Sequence, residues 1–579
     1  MSDVIAFNDP YHDSSFCLLG ASGPAHYEME RFTRRKLDRI SPLLGALDVW
    51  GHRWHAALDG CRAIGVVEGD FLAPLFRRLM FVKARGRTDP RPFAGALLTA
   101  LAADQTTVLP DAAVRQTVLP TLEPVRAGME SFVAQALRPG VIVTVLGHHH
   151  CHAANAFYAS PYETACSVTL DGGGYDFLDG EDGPRREVYG SVWECAANAV
   201  TARGWTEDIS IAGAWSRLTR QVFGLHFGEE GTVMAMAAYG DPARFAAAVA
   251  APYIWYPNAS LTASGYAAQI EALRQQMRTE QDRFDLAAAL QQQTEFKVYA
   301  YLHAVVGRDV RHLCLSGGLF LNCQITGKVQ GWLPWLDSVF VPPAPYDGGL
   351  SIGAAQLLYH EALGMPRLPG PAAFATGPTY DAADIVAACG TRGVTLVPAT
   401  PDDIARRLDT GQIGAVFEGP AESGRRALGH RSILADPRRP ESRTRINTDI
   451  KHRAAFRPFA PMVLADAASD WFVCPPGFTS PYMSFAVPVR GTRIPAVTHR
   501  DGTARVQTVH RDLTPGLHAL LTVFAARTGV PVLLNTSFND NEPIVQTPGE
   551  ALECYLRTPL DFLYFSGPGL LARKIMQAS

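Results

Sequence analysis

The chain has no CxxC pair, no apolar run of membrane-spanning length and no excess of basic charge in its 579 residues. Its ten cysteines lie scattered from Cys17 to Cys554, which disfavours a disulfide framework and suits a reducing cytosol. Lys and Arg number 52 against 56 Asp and Glu, a net charge of −4, so no nucleic-acid partner is expected. The opening MSDVIAFND lacks the charged and long apolar regions of a signal peptide. With no spanning segment either, a cytoplasmic protein without membrane contact is expected. Short-period repeats and low-complexity tracts are absent as well.

What is present reads as a multidomain enzyme. Apolar residues make up 47% and charged residues 19%, and the length exceeds what one hydrophobic core supports. The Pro- and Gly-rich run LGMPRLPGPAAFATGPTY, at 363–380, is the clearest boundary. It predicts two α/β units, 1–365 and 375–579.

Four strand-like runs of the first unit end in small polar turns: VIAFNDPYHDSSFCLL, TACSVTLDGGG, HLCLSGGLFLNCQITGKV and PPAPYDGGLSIGAAQLLYHEAL. The second is read as a strand ending at Asp171, and the last as an amphipathic helix after Asp347. Glycines at strand ends let backbone N–H groups approach a phosphate, and a following helix N-terminus favours its charge. One such turn is ordinary loop chemistry. Four of them point to a nucleotide cleft between two similar lobes, with Gly172 and Gly173 as candidate nucleotide-binding positions.

Within GHHHCHAANA, His148 and His152 stand four apart and share one face of a helix. An isolated HxxxH is more often a polar helix end with satisfied histidines. Asp171, before three glycines, and Asp347, before two, shift the balance toward a metal site. Two imidazoles and two carboxylates suit Fe²⁺, Mn²⁺ or Zn²⁺. His149, His150 and Cys151 lie off that face.

The second unit carries SGRRALGHRSILADPRRPESRTRINTDIKHRAAFRPFAP, with Arg426, Arg431, Lys451, Arg453 and Arg457 interleaved with apolar runs. Such density usually marks a charged surface. Unpaired charge inside hydrophobic segments is costly, however, and a buried anion would remove that cost. HRDGTARVQTV adds His499 and Arg505, and PVLLNTSFNDNEPIV adds Asn535, Thr536 and Ser537.

Taken in order, YHDSSFCLL, ERFTRRK, HHHCHAANAFY, LDGGG, EGTVMAMAAYG, SGGLFLN, YDGG, RALGHRSILADPR, FRPFAP, THRDGTARVQTV and LLNTSFNDNEPIVQTP resemble the O-carbamoyltransferase family of the nodulation and antibiotic-tailoring type. The resemblance implies an N-terminal actin-like ATPase (ASKHA) domain and a C-terminal YrdC-like domain. It implies that carbamoyl phosphate and ATP, with Mg²⁺, form carbamoyl-adenylate, which carbamoylates an alcohol. It also implies roles for particular residues. His148, His152, Asp171 and Asp347 are similar to the family's iron ligands, and Gly318 and Asn322 to its adenylate-holding positions. Arg426, Lys451, Arg457, Arg505, Asn535 and Ser537 resemble its carbamoyl phosphate site, and His12 and Lys36 its transfer site. Three departures stand out: Arg425 where proline is usual, HHHCHA for HHLAHA, and Met29 before the ERF run.

Two rival readings are a tRNA threonylcarbamoyl-type enzyme and a catalytically silent ligand-binding homologue. The charge balance disfavours the first and the retained His, Asp and Arg residues the second. The partners expected are a small-molecule alcohol, carbamoyl phosphate and ATP, and a homodimer is allowed for. Acceptor-facing residues are sought in 45–120 and 200–228.

Overall fold

The computed structural model describes residues 2–8, 12–36, 41, 43, 57–86, 88–108, 122–177, 184–256, 263–368, 374–390 and 392–574. Parts of the candidate acceptor region (45–56, 87 and 109–120) and residues 369–373 of the boundary run lie outside them.

Two compact units form: Met1–Ser210 with Arg308–Leu319 and Trp335–Ala373, and Ile211–Gly307 with Phe320–Pro334 and Phe374–Ser579. A single cut at 363–380 does not describe this packing, because the segments 211–307 and 320–334 belong with the C-terminal residues. The helix Cys323–Trp332 shows why. The Thr326 hydroxyl donates to the Ser484 carbonyl, and a Cβ on Gly327 would stand 2.0 Å from the Ala486 oxygen.

The first unit contains two five-stranded sheets of one topology. The first comprises β1 (Val4–Asn8), β2 (Ser15–Gly20), β3 (Gly23–Glu28), β4 (Ala63–Val67) and β5 (Ile142–Leu146), ordered β3-β2-β1-β4-β5. The second comprises β6 (Thr164–Asp176), β7 (Arg186–Ala196), β8 (Ala199–Thr206), β9 (His312–Ser316) and β10 (Ser338–Phe340), ordered β10-β9-β6-β7-β8. In each, an antiparallel meander precedes two strands parallel to the first. This duplication is the two-lobed, actin-like α/β plan that the resemblance implied.

The alternation of apolar side chains in the first sheet feeds two cores. Ile5, Phe7, Phe16, Leu18, Ile64 and Val66 pack with Phe76 and Phe132. Their neighbours Val4, Ala6, Cys17, Leu19, Ala63 and Val67 face the helices His148–Ala159 and Leu350–Leu357. A strand covered on both faces shows a continuous apolar run, as VIAF does.

The helix Leu350–Leu357 departs from the amphipathic expectation, since all eight of its residues are buried. It packs against β1, β2, β4 and the histidine helix, so no face is left for water. The strand expected to end at Asp171 runs on through the glycines to Asp176, with its register shifting between Leu170 and Gly174.

The second unit is built on a nine-stranded mixed sheet. Its strands are β11 (Val394–Pro398), β12 (Gly414–Phe417), β13 (Arg431–Ala435), β14 (Ala460–Leu464), β15 (Phe485–Pro488), β16 (Thr503–Val509), β17 (Val532–Ser537), β18 (Phe562–Phe565) and β19 (Leu570–Lys574). They run in the order β11-β19-β18-β12-β13-β17-β14-β16-β15. All ten cysteines are free, and no described helix is long and apolar enough to cross a membrane.

Candidate functional site

In open α/β sheets, ligands gather at the carboxyl ends of the parallel strands. The first unit follows that rule. His12 and Asp13 lie in the connection after β1, His148 follows β5, Asp171 stands where β6 bulges, Gly318 follows β9, and Asp347 follows β10. Duplicated topology thus brings corresponding positions of the two sheets to one place.

His148, His152, Asp171 and Asp347 converge there, with one ligand atom of each lying within 4.8 Å of the others. The His148 Nε2 is 3.4 Å from Asp171 Oδ2 and 3.6 Å from Asp347 Oδ1, and the His152 Nε2 is 3.4 Å from Asp347 Oδ1. Both Nε2 atoms are buried without a hydrogen-bond partner, which is costly for a polar atom unless a ligand takes it up. Burial alone would lower the His148 pKa, but Asp347 and Asp171 outweigh it and raise it to about 9. Asp171 stays well below the usual carboxylate range despite burial, held there by His148, His152 and the Gly318 N–H. The pocket therefore favours a positive charge. Two imidazoles and two carboxylates are a donor set that a divalent transition metal ion fits.

Groups behind the four donors orient them. The Gly318 N–H donates to Asp171 Oδ1 at 2.6 Å, so this glycine steadies a carboxylate. The Ser316 hydroxyl lies 3.4 Å from His152 Nδ1, leaving Nε2 to the pocket. Three residues missed in the sequence hold the turn that begins at Asp347. Asn8 Nδ2 donates to the Asp347 carbonyl (2.6 Å), and the Ser15 hydroxyl and His26 Nε2 donate to the Gly348 carbonyl (3.0 and 2.8 Å). Asn8 and Ser15 stand as polar residues at the ends of apolar strands, which was their signal, while His26 in GPAHYE gave none. Gly174 was missed too: a Cβ there would stand 2.3 Å from the His148 ring.

His12 Nδ1 is 2.9 Å from Asp13 Oδ2, and its Nε2 is 4.0 Å from Asp347 Oδ2. Nδ1 thus faces Asp13 and Nε2 faces the cluster, so the tautomer with its proton on Nδ1 donates to the carboxylate and leaves Nε2 basic. Gly172 is exposed and its carbonyl accepts from Ser210, while Gly173 takes a φ of 146° against the Tyr189 ring. Lys36 is exposed beyond the short helix Met29–Thr33.

The remaining expected site residues lie in the second unit. Asn322 caps the helix Cys323–Trp332 and donates to Gln291 Oε1 at 2.8 Å. Arg426 is buried, donating to the Tyr482 and Leu321 carbonyls at 3.2 and 2.8 Å. Arg453, Arg457 and Arg505 repel one another. Burial, Arg457 and Arg505 push the Arg453 pKa down to about 9, and burial and Arg505 lower that of Arg457 against the pull of Glu229. Asn535 Nδ2 donates to the Ala427 carbonyl and to Gln507, while its Oδ1 is buried without a partner. Mutually repelling buried guanidiniums suit an anion, and an orphaned amide oxygen suits a ligand that carries N–H donors.

Two basic residues of the Arg-rich stretch have extensive protein partners. Arg431 is fully buried, donates to the carbonyls of Glu418, Gly419, His430 and Gln546, and stacks on Phe417. Main-chain oxygens, rather than an anion, offset its burial. The Lys451 ammonium donates to the carbonyls and side chains of Ser537 and Asn539, and so shapes that loop.

Family models described as Carbamoyltransferase N-terminus and Carbamoyltransferase C-terminus match residues 136–356 and 405–571. Nodulation protein NolO of Bradyrhizobium diazoefficiens is 35% identical over 457 residues, 74% of this chain and 79% of that protein. An uncharacterized protein of Synechocystis, sll1178, is 30% identical over 623 residues, covering 97% and 95% of the two chains. Among solved structures, HypF of T. kodakarensis aligns at 12% identity with a TM-score of 0.28, over 62% of this chain and 48% of its own.

Proposed function

We propose, on the premise that this chain belongs to the carbamoyltransferase family, that it uses carbamoyl phosphate and ATP to carbamoylate a hydroxyl of a small-molecule acceptor. The observation that carries the reading is the convergence of His148, His152, Asp171 and Asp347, with two buried imidazole nitrogens lacking partners. Coupled buried arginines and an orphaned Asn535 oxygen, both in the second unit, support the first half of the chemistry.

On this reading, Arg426, Arg457 and Arg505 bind the carbamoyl phosphate dianion, and Asn535 Oδ1 accepts from its amide. Lys451 and Ser537 complete the proposed carbamoyl phosphate site. Water cleaves carbamoyl phosphate to carbamate and inorganic phosphate. A carbamate oxygen attacks the α-phosphorus of ATP, whose bond to the bridging oxygen breaks to release pyrophosphate. The product, carbamoyl-adenylate, hydrolyses readily, so exclusion of water favours its use. Gly172, Gly173, Gly318 and Asn322 are the proposed adenylate-holding positions.

A divalent ion held by His148, His152, Asp171 and Asp347 supplies Lewis acidity toward a carbamoyl or phosphate oxygen. His12 takes the acceptor's hydroxyl proton on Nε2, with Asp13 steadying the imidazolium that forms. The alkoxide oxygen bonds to the carbamoyl carbon, the carbon–oxygen bond to phosphate breaks, and AMP leaves. Lys36 offsets the growing charge on the leaving phosphate.

The test separates the two halves. His152→Ala is expected to lose metal and acceptor carbamoylation while retaining part of the carbamoyl-phosphate-dependent pyrophosphate release. Full transfer by metal-free His152→Ala protein, followed by mass spectrometry on pooled alcohols, overturns the assignment.

A further inference from the structure

The helix bearing both histidines has no side-chain cap of its own, because Gly147 stands at its N-cap. Four N–H groups at a helix start need partners, and an uncapped end frays. Here the partner comes from β6. Asp176 Oδ2 accepts the N–H of His149 at 2.5 Å and of His150 at 3.2 Å. The carboxylate is 2% exposed, and its Oδ1 stands 1.8 Å from where a Gly147 Cβ would be. Gly147 and Asp176 therefore fit as a pair.

We propose that Asp176 is a positioning residue for the metal site, setting the height and rotation of the helix that presents His148 and His152. This rests on the reading that those histidines, with Asp171 and Asp347, hold a divalent ion. The stretch DGGGYD then has three tasks. Asp171 supplies a donor oxygen, Gly174 leaves room for the His148 ring, and Asp176 grips the backbone one residue beyond that ring. Ligand and grip sit on one strand, so the distance between Asp171 and the helix start is fixed by covalent structure and the register shift at Leu170 and Gly174.

Charge adds to geometry. Burial pushes the Asp176 pKa up to about 6, while His148 and the N–H groups of His149, His150 and Phe177 pull the other way, so it is ionised at neutral pH. Its negative charge acts on His148 and complements the helix N-terminus. Asp347, Asp171, His149 and His152 are the other charged or titratable groups acting around His148 and Asp171.

The test measures Zn²⁺ affinity of the full chain by competition with a chromophoric chelator, in the native protein, Asp176→Ala and Asp176→Asn, with melting of the metal-free proteins in parallel. Partners behind metal ligands typically set roughly 10- to 100-fold in affinity, and Asp176→Ala should lose that much. Asp176→Asn keeps one acceptor oxygen without the charge, so it should recover part of the loss, and it stands in if the alanine variant does not fold. Native affinity within threefold in folded Asp176→Asn, and in Asp176→Ala if folded, overturns the proposal even if melting shifts, because capping then serves stability alone. Absence of Zn²⁺ binding by the native protein overturns the metal reading itself, a separate outcome.

Discussion

Gly353→Ala tests whether the tight contact between two buried helices sets the metal site. A Cβ on Gly353 would lie 1.9 Å from the Cys151 carbonyl oxygen, against the 3.0 Å below which real contacts are essentially absent. Backbone is rigid, so Leu350–Leu357 and His148–Ala159 must separate by about 1.1 Å, the difference between those two distances. Metal–ligand distances tolerate only about 0.2 Å. Asp347 sits three residues before the first helix and His148 begins the second, so the separation falls directly on the donor set. Overpacking should cost roughly 1–3 kcal/mol, which lowers the melting temperature by several degrees. Zn²⁺ affinity should fall at least about tenfold, beyond the loss of stability. Chelator competition and calorimetry on the full chain measure both. Gly331→Ala is the control, since nothing lies within 4 Å of a Cβ there and alanine favours a helix by up to about 1 kcal/mol. Native melting and native Zn²⁺ affinity in Gly353→Ala would refute the reasoning.

His12→Asn should retain metal and pyrophosphate release but slow acceptor carbamoylation about a hundredfold, checked by product formation at saturating acceptor. Arg457→Ala and Arg505→Ala should each raise the carbamoyl phosphate requirement tenfold or more, as loss of a charge-assisted bond costs about 1.5–3 kcal/mol, and added carbamoyl-adenylate should restore transfer. Burial holds the pKa values of His150 and His499 down to about 4, below the usual 6.5. The unfolded chain then binds more protons between those values, so their contribution is present above pH 6.5 and is lost as pH falls toward 4. The slope is at most about 1.4 kcal/mol per pH unit for each. Melting followed from pH 7.5 to 4.5 checks this, and a His499→Gln variant should show a shallower fall.

Sequence alone determined the local parts. VIAF reads as a buried strand because both faces are apolar, and HHHCHAANAFYA reads as a helix with His148 and His152 on one side because 3.6 residues complete a turn. The aspartates before glycines were legible as candidate donors, yet only Asp347 begins a turn, since β6 bulges and runs on past Asp171. Long-range placement was not legible. No pattern in DGGGYD says that Asp176 reaches back to the backbone of His149, because strand register decides that bond. Nor does LSIGAAQL reveal that both its faces are covered, since burial depends on what packs around a helix and not on its own period. Arg431 illustrates the limit most clearly. Its residue type and apolar setting are the same as for an anion-binding arginine, yet four main-chain oxygens, brought to it by the folded chain, already occupy both of its terminal nitrogens.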